Sequence, residues 1–327
     1  LRAPKMVQGG GFAGLSRETL LLVNNLVFAV MAAMVLTGTL YPLLIDALNA
    51  GKISVGPPYF GLLFSLLLVP LVIALPIGIF SRWKRDDGRR LAGKLRWPLL
   101  IGVAAGVSTW LLEPSAGLQT IAGVSGGVWV ISGSLFLVSN HLRSKKTFWL
   151  PANILAMTLA HVGLGIFLIG VSLTSAICSE RHLRMAAGDS FTMAGYRFEF
   201  LGIRVVQGPN FIADEGVFVV YEDGREITRL YPQKRQYMQG GQTMTEAAID
   251  PGLTRDLYVS LGEPLDDGEA WAVRIYHKPF IRWIWIGALL MFGGGLAAAG
   301  DKRYRRRQSG RKEAAGKPQI DTATVAV

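Results

Sequence analysis

The stretch "LAMTLAHVGLGIFLIGVSLTSA", Leu155 to Ala176, is a continuous apolar run broken by one strongly polar side chain, His161. A bilayer core of about 30 Å takes roughly 20 such residues in a helix rising 1.5 Å per residue, so the run reads as a membrane span. Five more runs of this kind surround it. They are Leu20 to Ile45, Phe60 to Phe80, a shorter one from Trp97 to Leu112, Ile121 to Ser139, and Ile281 to Gly300, while the quoted helix extends back to about Trp149. Composition agrees: half of the 327 residues are hydrophobic, only 17% are charged, and the mean hydropathy is +0.35.

The formal charge of +11 suggests nucleic acid until its distribution is read. Basic residues gather beside span ends: Arg82 to Arg96 after the second, Arg143, Lys145 and Lys146 after the fourth, and Lys302 to Lys312 after the sixth. If the spans alternate, all three clusters fall on one side, which the positive-inside rule makes the cytoplasm. Topology accounts for the charge, and no nucleic-acid partner is expected. Trp83, Trp97 and Trp149 mark the inner lipid boundary, and Trp283 and Trp285 the outer one. Both ends of the chain are then cytoplasmic. No stretch has the layout of a cleavable signal peptide, and the chain begins at Leu1 without Met, which points to a fragment or a processed product.

The sequence divides into a membrane domain with five spans over 1–176, an outer domain over 177–279, a sixth span over 280–300, and a basic tail over 301–327 expected to be disordered. From Ser190 the pattern changes to alternation. In "YRFEFLGI" Tyr196, Phe198 and Phe200 share one face and Arg197 and Glu199 the other, as in a half-buried strand. Asp223-Gly224 stands between two strand-like runs as a hairpin signal. The fold class is thus an α-helical integral membrane protein of about six spans with an inserted all-β domain, a sandwich or barrel of six or seven strands. That domain has no metal-ligand spacing, nucleophile elbow or phosphate loop. Its "PQKRQYMQGG" segment with Arg225, Arg229, Lys234 and Arg235 reads either as a basic docking edge or as a solvated loop. The single Cys178, where the fifth span ends, has no partner for an internal disulfide and reads as a small buried residue.

His161 lies near mid-membrane, where ionisable groups are costly and mark functional sites by default. Gly163, Gly165 and Gly170 narrow its helix, and Gly165 shares its face one turn on, leaving space for a flat ligand such as haem or for a close helix. An imidazole hydrogen-bonded to a neighbouring helix is the alternative. His141 sits at the inner end of the fourth span, and His182 and His277 flank the β-domain, where they are placed to approach each other.

Taken together, "LRAPKM", "LSRETLLLVNN", "MTLAHVGLGIFLIGV", "LYPQKRQYMQGGQTMTEAAIDPGLTRDLYVSLGE" and "YHKPFIRWIWIGALLMFGGG" resemble the carboxy-terminal half of the CcmF/CycK type of cytochrome c haem lyase subunit. The resemblance implies attachment of haem, as substrate, to the reduced Cys-x-x-Cys-His motif of apocytochrome c in the bacterial inner membrane, with the β-domain periplasmic. It also implies a transmembrane haem b with His161 as one axial iron ligand and the second ligand from outside this chain. The partners it implies are the amino-terminal half of the same lyase, a periplasmic haem chaperone, apocytochrome c with its thiol-reducing and presenting subunits, and membrane lipid. The family's Trp-rich segment and outer-loop histidine pair have no counterpart here, so that role is not carried to His182 or His277. This piece alone is not expected to be active. A non-enzymatic scaffold recruiting apocytochrome and chaperone, and the related nitrite-reductase-type subunit, are the alternatives.

Overall fold

A computed structural model describes residues 14–146, 149–239, 241 and 243–300. Six helices in it are long and apolar enough to cross a membrane: α1 (Arg17–Ala47), α2 (Pro57–Phe80), α3 (Gly88–Leu112), α4 (Leu118–Lys145), α5 (Ala152–Ile177) and α6 (Ile281–Ala299). Lipid offers no partner for backbone N–H and C=O groups, so each apolar run closes its bonds within itself as a helix. Two helices outrun their apolar cores. α3 begins at Gly88 rather than near Trp97, and α4 continues to Lys145, because Arg and Lys stems extend a helix beyond the lipid while their heads stay in water. The tail after Gly300 lies outside the described residues.

The "LSRETL" motif caps α1. Ser16 is extended (φ −150°) and fully buried, and its hydroxyl accepts from the Thr19 N–H at 3.1 Å, filling one of the open donors of the first turn. The same segment is clipped to the α2–α3 connection, with the Arg17 N–H donating to the Arg82 carbonyl and the Asp86 N–H to that of Leu15. Asp86 accepts from the Arg82 N–H and from the Arg90 guanidinium, and Arg90 holds its carboxyl well below the usual carboxylate range. Ser16→Ala is expected to cost about 1 kcal/mol, seen as earlier loss of helicity on titrating the intact protein with denaturing detergent.

Among the described residues ten strands lie between α5 and α6, not six or seven. They are β1 (Ser179–Ala186), β2 (Ser190–Met193), β3 (Tyr196–Gln207), β4 (Phe211–Glu222), β5 (Arg225–Leu230), β6 (Gln233–Tyr237), β7 (Thr243–Glu246), β8 (Ala248–Pro251), β9 (Arg255–Leu265) and β10 (Ala270–Pro279). One antiparallel sheet has the order β1-β10-β9-β8; the other runs β2-β3-β4-β6-β7, with β5 also on β4. Alternation puts one side chain in two between the sheets. Phe198, Phe200 and Phe218 meet Leu257, Leu261 and Ile275 in a core with almost no exposure. Phe200 and Phe218 stack at 4.7 Å between centroids. Asp223 and Gly224 both take positive φ (49° and 78°), the conformation of a two-residue hairpin that joins Glu222 to Arg225.

Packing separates Leu99–Trp129 with Gly165–Gly287 from the remainder of the chain. Within that unit the sandwich is tied down at its base. The Thr174 hydroxyl of α5 donates to the Pro279 carbonyl at 2.7 Å, and Arg282 of α6 pairs with Asp256 of β9 at 3.2 Å.

Candidate functional site

His161 is the tenth residue of α5, close to the middle of its 26. Its Nδ1 lies 2.7 Å from the Met157 carbonyl, one turn back. A carbonyl only accepts, so the proton is on Nδ1 and Nε2 keeps its lone pair. Among the described residues Nε2 has no hydrogen-bond partner. A backbone carbonyl that fixes the tautomer on one nitrogen and leaves the other free is the usual support for a metal-bound imidazole.

Thr158 stands three residues before His161 on the same side of α5, and its buried hydroxyl has no partner among the described residues. Other hydroxyls in the spans close onto the carbonyl four residues back: Thr39 onto Val35, Thr109 onto Ala105, Ser134 onto Val130. Thr158 departs from that habit. Its hydroxyl is a buried unsatisfied polar group one turn from the imidazole, where that costs more than in water.

The glycines of α5 serve close helix approach. A Cβ built on Gly127 of α4 would stand 2.6 Å from the Gly165 carbonyl, and one on Gly123 would overlap Ser172. Gly170 faces Trp283 and Ile284 at the start of α6, with its own Cβ position 2.9 Å from the Ile284 nitrogen. Of the two uses the sequence left open for the space at Gly165, a close helix is present there.

The remaining candidates separate. His182 and His277 sit on neighbouring strands, but His182 is level with Arg274 and His277 with Ser179, an odd spacing that puts them on opposite faces of the sheet. His182 is exposed, with Nε2 2.6 Å from Glu180. His277 points inward at the base of the sandwich, stacked on Tyr196 at 5.9 Å, and its Nδ1 is buried without a partner among the described residues. Burial, then the Arg255 charge, pushes its pKa down. As pH falls through about 6.5 the unfolded chain gains a proton that the folded domain still refuses, so stability declines there. The midpoint of sandwich unfolding is therefore expected to drop between pH 7 and 5 in the wild type, and less in His277→Phe.

Apart from Arg225, which is exposed beside the β4–β5 turn, the basic edge is neither free nor a loop. "QKRQY" is strand β6, Lys234 pairs with Glu263, Arg235 with Glu246 at 3.4 Å and Arg229 with Glu226 at 2.7 Å. Cys178 is exposed rather than buried, because it lies just past the last residue of α5, and desolvation raises its thiol pKa with Lys278 opposing, so the thiolate is not favoured. Among the described residues no cluster of His, Cys, Asp and Glu is placed to hold a metal ion.

Six long apolar helices with a β-sandwich between the fifth and sixth, and a half-bonded histidine at mid-span, define a helical membrane protein with an inserted β-domain. Residues 176–279 match the family described as CcmF C-terminal beta-sandwich. The chain is 44% identical over 327 residues to the cytochrome c-type biogenesis protein CcmF of Pseudomonas fluorescens, covering 97% of this chain and 48% of that protein. It is 39% identical to the CcmF of Escherichia coli strain K12, covering 91% of this chain and 46% of that one. A solved structure titled Cytochrome c Heme Lyase CcmF superposes with a TM-score of 0.74 at 21% identity, over 88% of this chain and 46% of the other, a likeness of fold. The chain is a CcmF-type protein, and it spans about half the length of the curated relatives it matches.

Proposed function

We propose that this chain forms part of a cytochrome c haem lyase, which attaches haem covalently to reduced Cys-x-x-Cys-His apocytochrome c, and that it holds a transmembrane haem b through His161. The second axial ligand comes from outside the chain, in the amino-terminal half of the same lyase. The observation that carries this reading is the state of His161: Nδ1–H spent on Met157, Nε2 unspent at mid-span. Neutral imidazole with its second nitrogen free is the donor that haem iron takes. Met157 fixes ring orientation and tautomer, Thr158 keeps a hydroxyl in reserve three residues away, and Gly165 follows one turn further along α5. When bound, the haem supplies a one-electron couple whose potential is set by axial ligation and low dielectric.

In this proposal the protein lies in the bacterial inner membrane with its sandwich in the periplasm and both ends of the chain cytoplasmic. Haem also enters as substrate, carried by a periplasmic haem chaperone, while apocytochrome c arrives with thiol-reducing and presenting subunits. The sandwich positions partners and performs no chemistry. The test is the pyridine haemochrome of the intact protein, wild type against His161→Ala. A b-type spectrum lost with the imidazole supports ligation; haem content indifferent to the substitution makes His161 structural and leaves a recruiting scaffold as the function.

A further inference from the structure

The register of the four-stranded sheet places three rungs of side chains on its outward face, starting from the end tied to α5 and α6. Across the strands they read Pro251, Asp256 and Lys278; then Ile249, Tyr258, Tyr276 and Glu180; then Ser260, Arg274 and His182. The core uses none of them. Outward positions of a sandwich are ordinarily polar, because rings and aliphatic groups gain nothing by facing water. Here the middle rung is two tyrosines in edge-to-face contact at 5.0 Å, beside an Ile249 that is 51% exposed.

The charges on this face are unevenly partnered. Glu180 is held by Tyr276 and His182, Asp256 by Arg282, and Glu263 at the upper rim by Lys234. Lys278 rests between the Tyr258 and Tyr276 rings at 5.0 and 4.8 Å, and Arg274 reaches the Tyr276 hydroxyl. Among the described residues neither cation has a carboxylate in ion-pair contact. The carboxylates have direct partners, while Arg274 acts on Glu180 only at a distance and Lys278 is held by the tyrosine rings. Lys278 and Arg274 are four residues apart on one strand, about 13 Å at the rise of a β-strand, with Tyr276 between them. Beside Arg274, a cleft of ≈ 340 Å³ is bordered by His182, Ser260 and Thr245.

We propose that this face docks an extended acidic segment of a protein partner, with carboxylates at positions i and i+4 and an apolar side chain at i+2. An extended chain repeats the same distance as β10, so one carboxylate reaches Lys278 while the other enters the cleft at Arg274. The apolar residue between them lies on the tyrosine pair. Tyr and Arg are the side chains that concentrate binding energy at interfaces, having rigid area and directed donors. The proposal does not rest on the haem reading.

The probes are two fluorescein-labelled peptides, one repeating Asp-Ser-Leu-Ser and one repeating Asn-Ser-Leu-Ser, titrated by anisotropy against the intact protein in phosphatidylcholine nanodiscs. The acidic peptide is expected to bind at least tenfold more tightly than the neutral one. Arg274→Gln and Lys278→Gln should each weaken it about tenfold, while Arg225→Gln, an exposed cation on the β4–β5 hairpin, leaves it unchanged. The sandwich melting temperature verifies that the variants fold, their side chains being outward. Equal binding of the two peptides, or equal loss with Arg225→Gln, overturns the proposal. So does loss of peptide binding on replacing phosphatidylcholine by phosphatidylglycerol at the same ionic strength, which would make the face a seat for lipid headgroups.

Discussion

Replacing His161 by glycine in the intact protein should abolish its b-type haemochrome, and imidazole added to the buffer should bring it back. The two halves of this expectation separate ligation from folding. Glycine within a helix costs about 1 kcal/mol relative to alanine, and losing the Nδ1–H bond to Met157 costs about 0.5–1.5 kcal/mol more. These losses affect α5 whatever His161 does. Free imidazole cannot repair a helix, but it fits the volume that the side chain vacates and offers the same nitrogen. Return of the spectrum therefore reports an iron–nitrogen bond at this position. If the glycine variant holds its haem undiminished, the ligand lies elsewhere. If it loses haem and imidazole does not restore it, the loss is structural.

How much of this was legible beforehand differs from part to part. The spans are readable because lipid leaves an apolar segment only the helix, and ten of the twelve helix ends lie within three residues of the ends of the apolar runs. α3 was cut short because Arg89 to Arg96 look like a loop when charge is taken as the boundary. In the β-domain, alternation identified β3 and the Asp223-Gly224 turn identified the β4–β5 hairpin. Strands of four residues such as β7 and β8 carry too few positions for a period to show. β6 reads as a basic loop because the glutamates that neutralise it come from other strands, Glu246 from β7 beside it and Glu263 from β9 of the other sheet. The proximity of His182 and His277 followed from the domain leaving and re-entering the membrane together, but which face each occupies depends on register, and a shift of one residue reverses it. At mid-span the imidazole was conspicuous by polarity and its tautomer was not. Thr158 went unnoticed, although a hydroxyl three residues from the histidine was there to be read.

Phe218→Ala should have the largest effect on stability of any single truncation in the sandwich. The ring has no exposure, stacks on Phe200, and lies close under Gly216, where an added Cβ would already stand 3.0 Å from it. Removing a buried phenylalanine forfeits both its transfer energy and the contacts of the cavity wall, about 3–5 kcal/mol, against about 5–15 kcal/mol for a whole domain. Antiparallel strands locked by register cannot slide to close such a hole. Urea or thermal unfolding of the intact protein, followed by near-ultraviolet dichroism, should show the sandwich transition shifted far down. Val205→Ala, at a position 72% exposed, should barely move it. The outward rungs depend on the same strands, so the acidic peptide should lose its site in Phe218→Ala near the new midpoint. The bond that orients His161 is closed within α5 itself, so the haem spectrum should persist through that transition. Haem loss in step with sandwich unfolding would instead place the two functions in one cooperative unit.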